Sequence, residues 1–546
     1  MNTLRTEEEF DVVVVGAGLA GTMAAVTAAD RGARVAIVHE GPLFSGSSFF
    51  PGTWGLGLIG PENAEDAADL SRTIQEVGCR VALDPLVDSF VAGIDGAIER
   101  IEAKGVVLKQ AERAGEVEFI PCFDYKHRHW RGIVRENYTG AIGGEIARSG
   151  IVSIGRATLM SVVKDGERAC GVVVFSAGEG SFVKIPAKAV VLATGGIGGL
   201  FSRRLVAADV DGSACSVALE AGCSLINIEF LQMMPGIIHP CTGAVFNEKM
   251  FRHMALSCAD GSSPFAGRDD AWVADVLECR SGHGPFTSRL ISREVDLAID
   301  ASGAEGIVAR YKGGSDMPEF ARTYYDWLEK EKGVRADDEL RLSLFAHASN
   351  GGIAISEDTA TGVPGLFACG EATGGMHGAD RIGGLSSANA LVFGIRAGEA
   401  SASWAAQSAA STADAEAVST GDAASPRAHQ IASSMRRIMT QHCMVRRSGE
   451  GLAEADRALA SLERELAASS EPCADEGAVA LTSKVRHQLL TARAFVAAAA
   501  ARNESRGSHY RIDAPTEDPA QAHARVLSFD AEGGFSLRPA VRAAGN

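Results

Sequence analysis

Asp11-Val-Val-Val-Val-Gly-Ala-Gly-Leu-Ala-Gly21 is the stretch that decides the fold. Four consecutive β-branched residues read as a buried strand of a parallel sheet. Gly16, Gly18 and Gly21 follow in G-x-G-x-x-G spacing, and residues 22–30 read as a helix. In that pattern Gly16 permits the tight turn and Gly18 lets the backbone approach a pyrophosphate. Gly21 lets helix and strand pack closely. The helix N-terminus offers free N–H groups and a positive dipole end to phosphate oxygens. A second strand at 34–38 completes a βαβ unit, which predicts a dinucleotide cradle rather than a glycine-rich turn without a ligand.

Working outward, 546 residues exceed one ordinary core and predict two to four domains. The composition, 46% apolar and 22% charged, is that of a globular chain. A net charge of −17 argues against nucleic acid or an anionic membrane surface as a main partner. No apolar run reaches bilayer-spanning length. The acidic start, Met1-Asn-Thr-Leu-Arg-Thr-Glu-Glu-Glu-Phe10, lacks an apolar segment and so reads as no signal peptide, with a cytoplasmic location expected. The 11 cysteines are scattered without a C-x-x-C pair. That spacing speaks against zinc, c-type haem and iron–sulfur ligation and for thiols used as small core residues.

A Gly/Ser-rich loop spans 41–60, and helical patterning dominates 61–112. Strand-like runs occur at 151–154, 161–163, 171–175 and 189–193, the last leading into Thr194-Gly-Gly-Ile-Gly-Gly-Leu-Phe201. Residues 230–345 are richer in methionine, aromatics and irregular turns and read as an insertion. Strand-and-glycine character returns over 351–398. An Ala/Ser/Thr/Asp-rich stretch at 401–428 reads as a linker or a solvated helix. From 429 to 505 the pattern is helical.

Four segments, GAGLAG at 16–21, ATGGIGGLF at 193–201, GLFACGEATGGMHGADRIGG at 365–384 and RNESRGSHYRID at 502–513, occur in an order and spacing that resemble the succinate dehydrogenase/fumarate reductase flavoprotein family, which includes L-aspartate oxidase. The resemblance covers nearly the whole chain. It implies an α/β fold: a Rossmann-type FAD-binding domain with an inserted α+β capping domain and a C-terminal helical domain. The expected boundaries are 1–229 and 346–405 for the two parts of the FAD-binding domain and 230–345 for the cap. A linker at 406–428 and a helical domain with its tail at 429–546 complete the chain.

The same resemblance supplies candidate cofactor residues: Gly16, Gly18, Gly21, Thr194, Gly195, Glu371 and Ser386. Glu40, at the end of the second strand, reads either as a ribose ligand or as a solvated glutamate. The loop Phe44-Ser-Gly-Ser-Ser-Phe-Phe-Pro-Gly-Thr53 matches the segment beside the isoalloxazine, so Ser45, Ser47, Ser48 and Gly52 are candidates. Gly46 stands where membrane-complex members carry a histidine bonded to FAD, which implies non-covalent FAD.

For chemistry, Arg381 matches the carboxylate-binding arginine, against a structural ion pair as the alternative. His347 matches the substrate histidine, against a core histidine. Arginine forks suit carboxylates in a closed site. Arg289 is the first choice for the proton-transferring arginine, Arg293 the second, with Glu294 as a relay. Residues 295–300 read as a strand returning from the cap. Arg131, in the basic run 126–131, matches a family arginine near the flavin.

Three departures alter the expected substrate. The family's Q-x-H-P-T motif reads Gln232-Met-Met-Pro-Gly236, so the dicarboxylate histidine has become Met234. The T-E-x-x-R-G-E-G loop is not found near 245–262. Asp380 replaces asparagine beside Arg381, where a desolvated carboxylate is expected to compete with substrate. These departures put fumarate, succinate and aspartate in doubt. They favour a larger small-molecule substrate with one carboxylate or a carbonyl, contacting Met233 and Met234. Three functions remain open: a reductase or dehydrogenase of an activated C–C bond served by an external electron partner such as a haem or iron–sulfur protein; an oxygen-using oxidase resembling L-aspartate oxidase; and a non-catalytic flavin-binding subunit or sensor.

Overall fold

A computed structural model of the chain describes residues 5–6, 8–313, 316–409, 422–530 and 533–540. Strand β1 (Phe10–Val15), helix α1 (Leu19–Asp30) and strand β2 (Val35–His39) form the βαβ unit. The two strands are parallel, with Val12 opposite Val35 and Val14 opposite Ile37. Val12, Val13 and Val14 are fully buried. Each such side chain contributes about 1.5–3 kcal/mol relative to exposure, which is why an unbroken valine run forms a central strand.

Strand β3 (Ser181–Leu192) changes partners midway. Its residues 181–186 pair antiparallel with Arg168–Ser176, and its last residues pair in parallel with β1 and Leu366–Ala368. The carboxyl ends of β1, β2 and β3 therefore share one edge. Gly16, Glu40 and Thr194 leave the sheet there, where open α/β sheets bind ligands.

The inserted unit has its own antiparallel sheet. Its centre is β4 (Leu231–His239) paired with β5 (Leu340–Ser349), Met234 opposite Phe345. Ala244–Val245 extends it on one side, and Ile307–Tyr311 and Met254–Ser257 on the other. Residues 295–300 are not a strand: they lie in the helix Arg293–Ala301. Val295 and Ile299, one turn apart, are fully buried, and Asp296 is ion-paired with Arg280 at 2.9 Å.

Helix α2 (Leu385–Gln407) crosses α1 at close range. A methyl group on Gly394 would lie 2.6 Å from Ala20 O, and one on Gly398 2.5 Å from Ala24 O. Glycine is required where the two backbones meet. Most of the expected linker, 410–421, lies outside the described residues.

Helices Ala428–Cys443, Gly449–Ala468 and α3 (Glu476–Ala501) form the C-terminal bundle. The segment after it is not merely a tail. Arg525–Phe529 and Phe535–Pro539 form a hairpin that pairs with Leu225–Ile226, because Val526 and Leu527 find a buried sheet edge there. Seven of the eleven cysteines are buried. Among the described residues no helix is long and apolar enough to cross a membrane.

Candidate active site

One cavity at the carboxyl edge of the sheet gathers twelve of the sixteen site residues expected from the sequence: Gly16, Gly18, Glu40, Ser45, Ser47, Ser48, Thr194, Gly195, His347, Glu371, Arg381 and Ser386. Gly16 has φ +111°, and a Cβ there would meet Ala193 O at 2.2 Å. Gly18 differs: a Cβ would find nothing nearer than Ser45 O at 3.6 Å, because that side faces the cavity. It caps α1 without a side-chain hydrogen bond, which leaves first-turn N–H groups for a ligand. A second helix N-terminus, that of α2, enters the same wall through Gly383, Gly384, Ser386 and Ser387.

At one end Glu40 accepts a hydrogen bond from Lys484 of α3 at 2.6 Å, and Lys484 reaches Asp211 at 2.7 Å. Burial raises the Glu40 carboxyl above its usual range despite that lysine. Glu40 is thus half-buried and paired.

The other end carries the candidate chemistry. Arg381 Nη2 donates to Gln232 Oε1 at 2.8 Å. Burial lowers the Arg381 guanidinium, with Glu371 acting in the opposite sense. Glu371 accepts the Ser349 N–H at 3.0 Å, and burial raises its carboxyl. His347 Nδ1 lies 3.2 Å from Leu205 O, so this nitrogen carries the proton and Nε2 is left as an acceptor. Burial, then Arg381, pushes the His347 imidazole down to about 4, which keeps it neutral at pH 7. Met234, Gly284, Pro285, Cys122 and Glu248 line the same wall. Cys122 Sγ donates to Glu248 Oε1 at 2.7 Å; burial, then the Glu248 charge, pushes the thiol up to about 12.

Four expected site residues do not line the cavity. Gly21 packs against Gly16, where a Cβ would meet Gly16 O at 1.9 Å. Gly52 lies where a Cβ would strike Gly243 O at 2.2 Å, so it seats the cap rather than a cofactor. Arg289 turns away and binds Asp380, Nε to Oδ2 at 3.0 Å. Arg293 is partly exposed and donates to Ser288 O at 3.2 Å.

Further expectations are corrected by the same contacts. Asp380 does not compete for Arg381, since Arg289 and the Thr287 hydroxyl, at 2.7 Å, take its charge. Glu294 is half-exposed and contacts Arg293 at 3.4 Å, off the cavity. Met233 is fully buried away from the cavity, and its carbonyl accepts the Phe286 N–H. Arg131 also lies off the cavity; Lys126 and Arg128 of that run bind Asp66 and Asp69.

A family model described as an FAD binding domain matches residues 11–387, and one described as the fumarate reductase flavoprotein C-term matches 432–538. The chain belongs to the succinate dehydrogenase/fumarate reductase flavoprotein family. L-aspartate oxidase of Streptomyces coelicolor is 27% identical over 93% of this chain and 89% of its own. A fumarate reductase (CoM/CoB) subunit of Methanothermobacter marburgensis is 26% identical over 96% of this chain and 98% of its own. Among solved structures, a quinol-fumarate reductase with menaquinol superimposes with a TM-score of 0.81 at 22% identity, over 99% of both chains. Mycobacterium smegmatis Sdh1 in complex with UQ1 gives 0.80 at 23%, over 99% of this chain and 95% of that one. The protein is an FAD-dependent oxidoreductase with the FAD-binding, capping and C-terminal helical architecture of this family.

The cavity fits FAD on its own evidence. Gly16 and Gly18 shape a pyrophosphate cradle. Thr194 Oγ1, Asn389 Oδ1, His377 Nδ1 and Gln232 Nε2 are buried cavity residues' polar atoms with no hydrogen-bond partner among the described residues. Unpartnered buried polar atoms also occur elsewhere in the protein, but these four belong to residues of one cavity, where the polar groups of a bound FAD would satisfy them. Sequence reasoning missed Cys122, Glu248, Asn389 and the 209–215 segment. For Glu248 a signal existed: a carboxylate between Phe246 and Met250-Phe251, capped by Asn247 accepting the Lys249 N–H at 3.0 Å.

Proposed function

We propose that this flavoenzyme transfers a hydride between flavin N5 and a C–C bond activated by one carboxylate or carbonyl, and that C4 dicarboxylates are not its substrates. What carries the reading is charge: Arg381 is the one arginine or lysine lining the cavity among the described residues. Met234, Pro285 and Glu248 line the cavity with it. A second carboxylate would meet a thioether and another carboxylate, which costs several kcal/mol in a closed site, on the order of an unpaired buried charge.

FAD, when bound, supplies the hydride acceptor or donor. Arg381 holds one anionic oxygen of the substrate, and the free Gln232 Nε2 donor beside it serves the same oxygen pair. The positive end of the α2 dipole favours negative charge at the cofactor. Glu248, held by the Cys122 thiol, is the acid–base group for the proton at the neighbouring carbon; Arg289 is committed to Asp380. The FAD is non-covalent in this reading, since Gly46 offers no nucleophile. Electrons pass to or from an external partner, in the cytoplasm; the Methanothermobacter relative is itself named as one subunit of its reductase.

The test is dye-linked turnover of the purified holoprotein with crotonate and cyclohexenone against fumarate, succinate and L-aspartate, with an oxygen electrode in parallel. Turnover is expected only with singly activated substrates. Efficient conversion of any C4 dicarboxylate overturns the substrate reading, and steady oxygen uptake assigns the electrons to dioxygen. Flavin that stays in an acid-precipitated pellet overturns the non-covalent reading.

A further inference from the structure

A second cavity of about 570 Å³ adjoins the flavin site, well within the size of small-molecule pockets. Gly55, Leu56, Gly57, Cys122, Glu248, Gly383 and Gly384 line both cavities, so the two spaces share a wall. Its walls are aromatic. Trp54, Trp130 and Trp327, three of the five tryptophans in a chain that is only 6% aromatic, line it with Phe49, Phe119 and Phe320. All but Phe119 are half-buried, although this protein hides most of its large apolar side chains completely. The rings brace one another edge to face: Trp54 with Phe320 at 6.1 Å, Phe119 with Phe320 at 5.6 Å and with Trp130 at 5.2 Å.

The inner charged groups around the chamber are already engaged. Arg135 donates to Ser48 O at 3.0 Å and Thr53 O at 2.8 Å. Lys249 Nζ donates to Ile120 O at 2.9 Å. Glu319 accepts the backbone N–H groups of Glu112 and Arg113. Lys109, Glu136, Lys330 and Glu331 lie exposed and balance in charge. What the chamber offers a ligand is therefore ring surface, not a second anion site. Flat aromatic bodies stack on such rings and bury large apolar area at little entropic cost.

We propose that this chamber is the substrate's second subsite. It takes the aromatic or fused-ring body of an elongated substrate whose carboxylate or carbonyl head reaches Arg381. This rests on the assignment of Arg381 to the substrate head and names the class of molecule that head belongs to: an arylalkenoate or its saturated counterpart.

Titrating the oxidised holoprotein with 3-(2-naphthyl)acrylate and with crotonate, read by the flavin difference spectrum and tryptophan quenching, tests it. The naphthyl compound should bind at least tenfold more tightly than crotonate. Trp54→Ala should erase most of that advantage and leave crotonate within twofold. Thr323→Trp, which fills the chamber from a half-buried helix position, should do the same and covers the case in which Trp54→Ala fails to fold. Equal affinity for the two acids, or an advantage that survives Thr323→Trp, overturns the subsite. If neither acid perturbs the flavin and Arg381→Ala changes nothing, the reading of Arg381 fails instead, and the subsite fails with it.

Discussion

Asp380 is fully buried, and its carboxylate is balanced by Arg289 and Thr287 alone. Burial raises its carboxyl, with Arg289 opposing, while Asp380 holds the Arg289 guanidinium above its usual value against burial. Removing one partner of such a pair costs about 3–5 kcal/mol. Arg289→Ala should therefore lower the thermal midpoint, and adding Asp380→Asn should restore part of it. A melt unchanged by Arg289→Ala, with turnover abolished, would return Arg289 to catalysis. His347 makes a second residue-scale prediction, in pH. Its imidazole is at about 4 in the fold against about 6.5 unfolded. Above pH 6.5 both states are neutral and nothing is lost. As pH falls through 6.5 toward 4 the unfolded chain takes up the proton first, and stability drops by on the order of 3 kcal/mol. His283, His377 and His509, lowered further by burial, act in the same direction. Denaturant unfolding at pH 7.5, 6 and 5 should show this slope, smaller in His347→Gln; a flat profile would contradict it.

Elements differ in how plainly the sequence announces them. The βαβ unit is legible because every signal is local: a valine run, three glycines and a helix within twenty residues. Residues 295–300 mislead because V-D-L-A-I-D alternates at period two while Val295 and Ile299 also stand one helical turn apart. Only tertiary packing decides, by burying Val295 and Ile299 and leaving Leu297 half-exposed. Arg381, His347 and Glu371 sit in motifs, and the fold brings all three to one cavity. The Arg289–Asp380 pairing is invisible because its two residues come from remote parts of the chain, and Glu248, flanked by apolar residues but in no motif, shows its Cys122 partner only in the fold. The glycines of the first turn allow a sharper test of one element. Gly18→Val should fold yet lose flavin, because its side chain enters the cavity with no protein atom inside 3.6 Å. Gly16→Ala should damage the fold itself, at φ +111° and 2.2 Å from Ala193 O. Absorbance at 450 nm against circular dichroism separates the outcomes; a Gly18→Val protein with full flavin would refute the cradle.

At the scale of the molecule, the C-terminal motif RNESRGSHYRID does not line the flavin cavity; it ties three parts of the chain together. Glu504 is fully buried and receives Arg502 at 3.0 Å, both Nε and Nη2 of Arg506 at 2.8 Å, and the Asp518 N–H at 2.8 Å. Arg502 also binds Glu229 at 2.7 Å, at the entrance to the inserted unit. Beyond this hub, Ser508 Oγ donates to Ala379 O at 2.9 Å, and the Ser288 N–H to Gly507 O at 2.8 Å. The hub therefore braces both the segment that carries Arg381 and the one that carries Arg289. Glu504→Gln keeps the shape but removes the charge that balances two buried guanidinium groups, a loss of about 3–5 kcal/mol. We expect a lower thermal midpoint with the flavin still bound, because the hub lies away from the cradle. We also expect a raised KM with a smaller change in kcat, since Arg381 is loosened in the ground state as much as during reaction. Flavin loss without a fall in the midpoint would mean that the motif serves the cofactor directly. An unchanged midpoint and KM would mean that the three parts hold together without it.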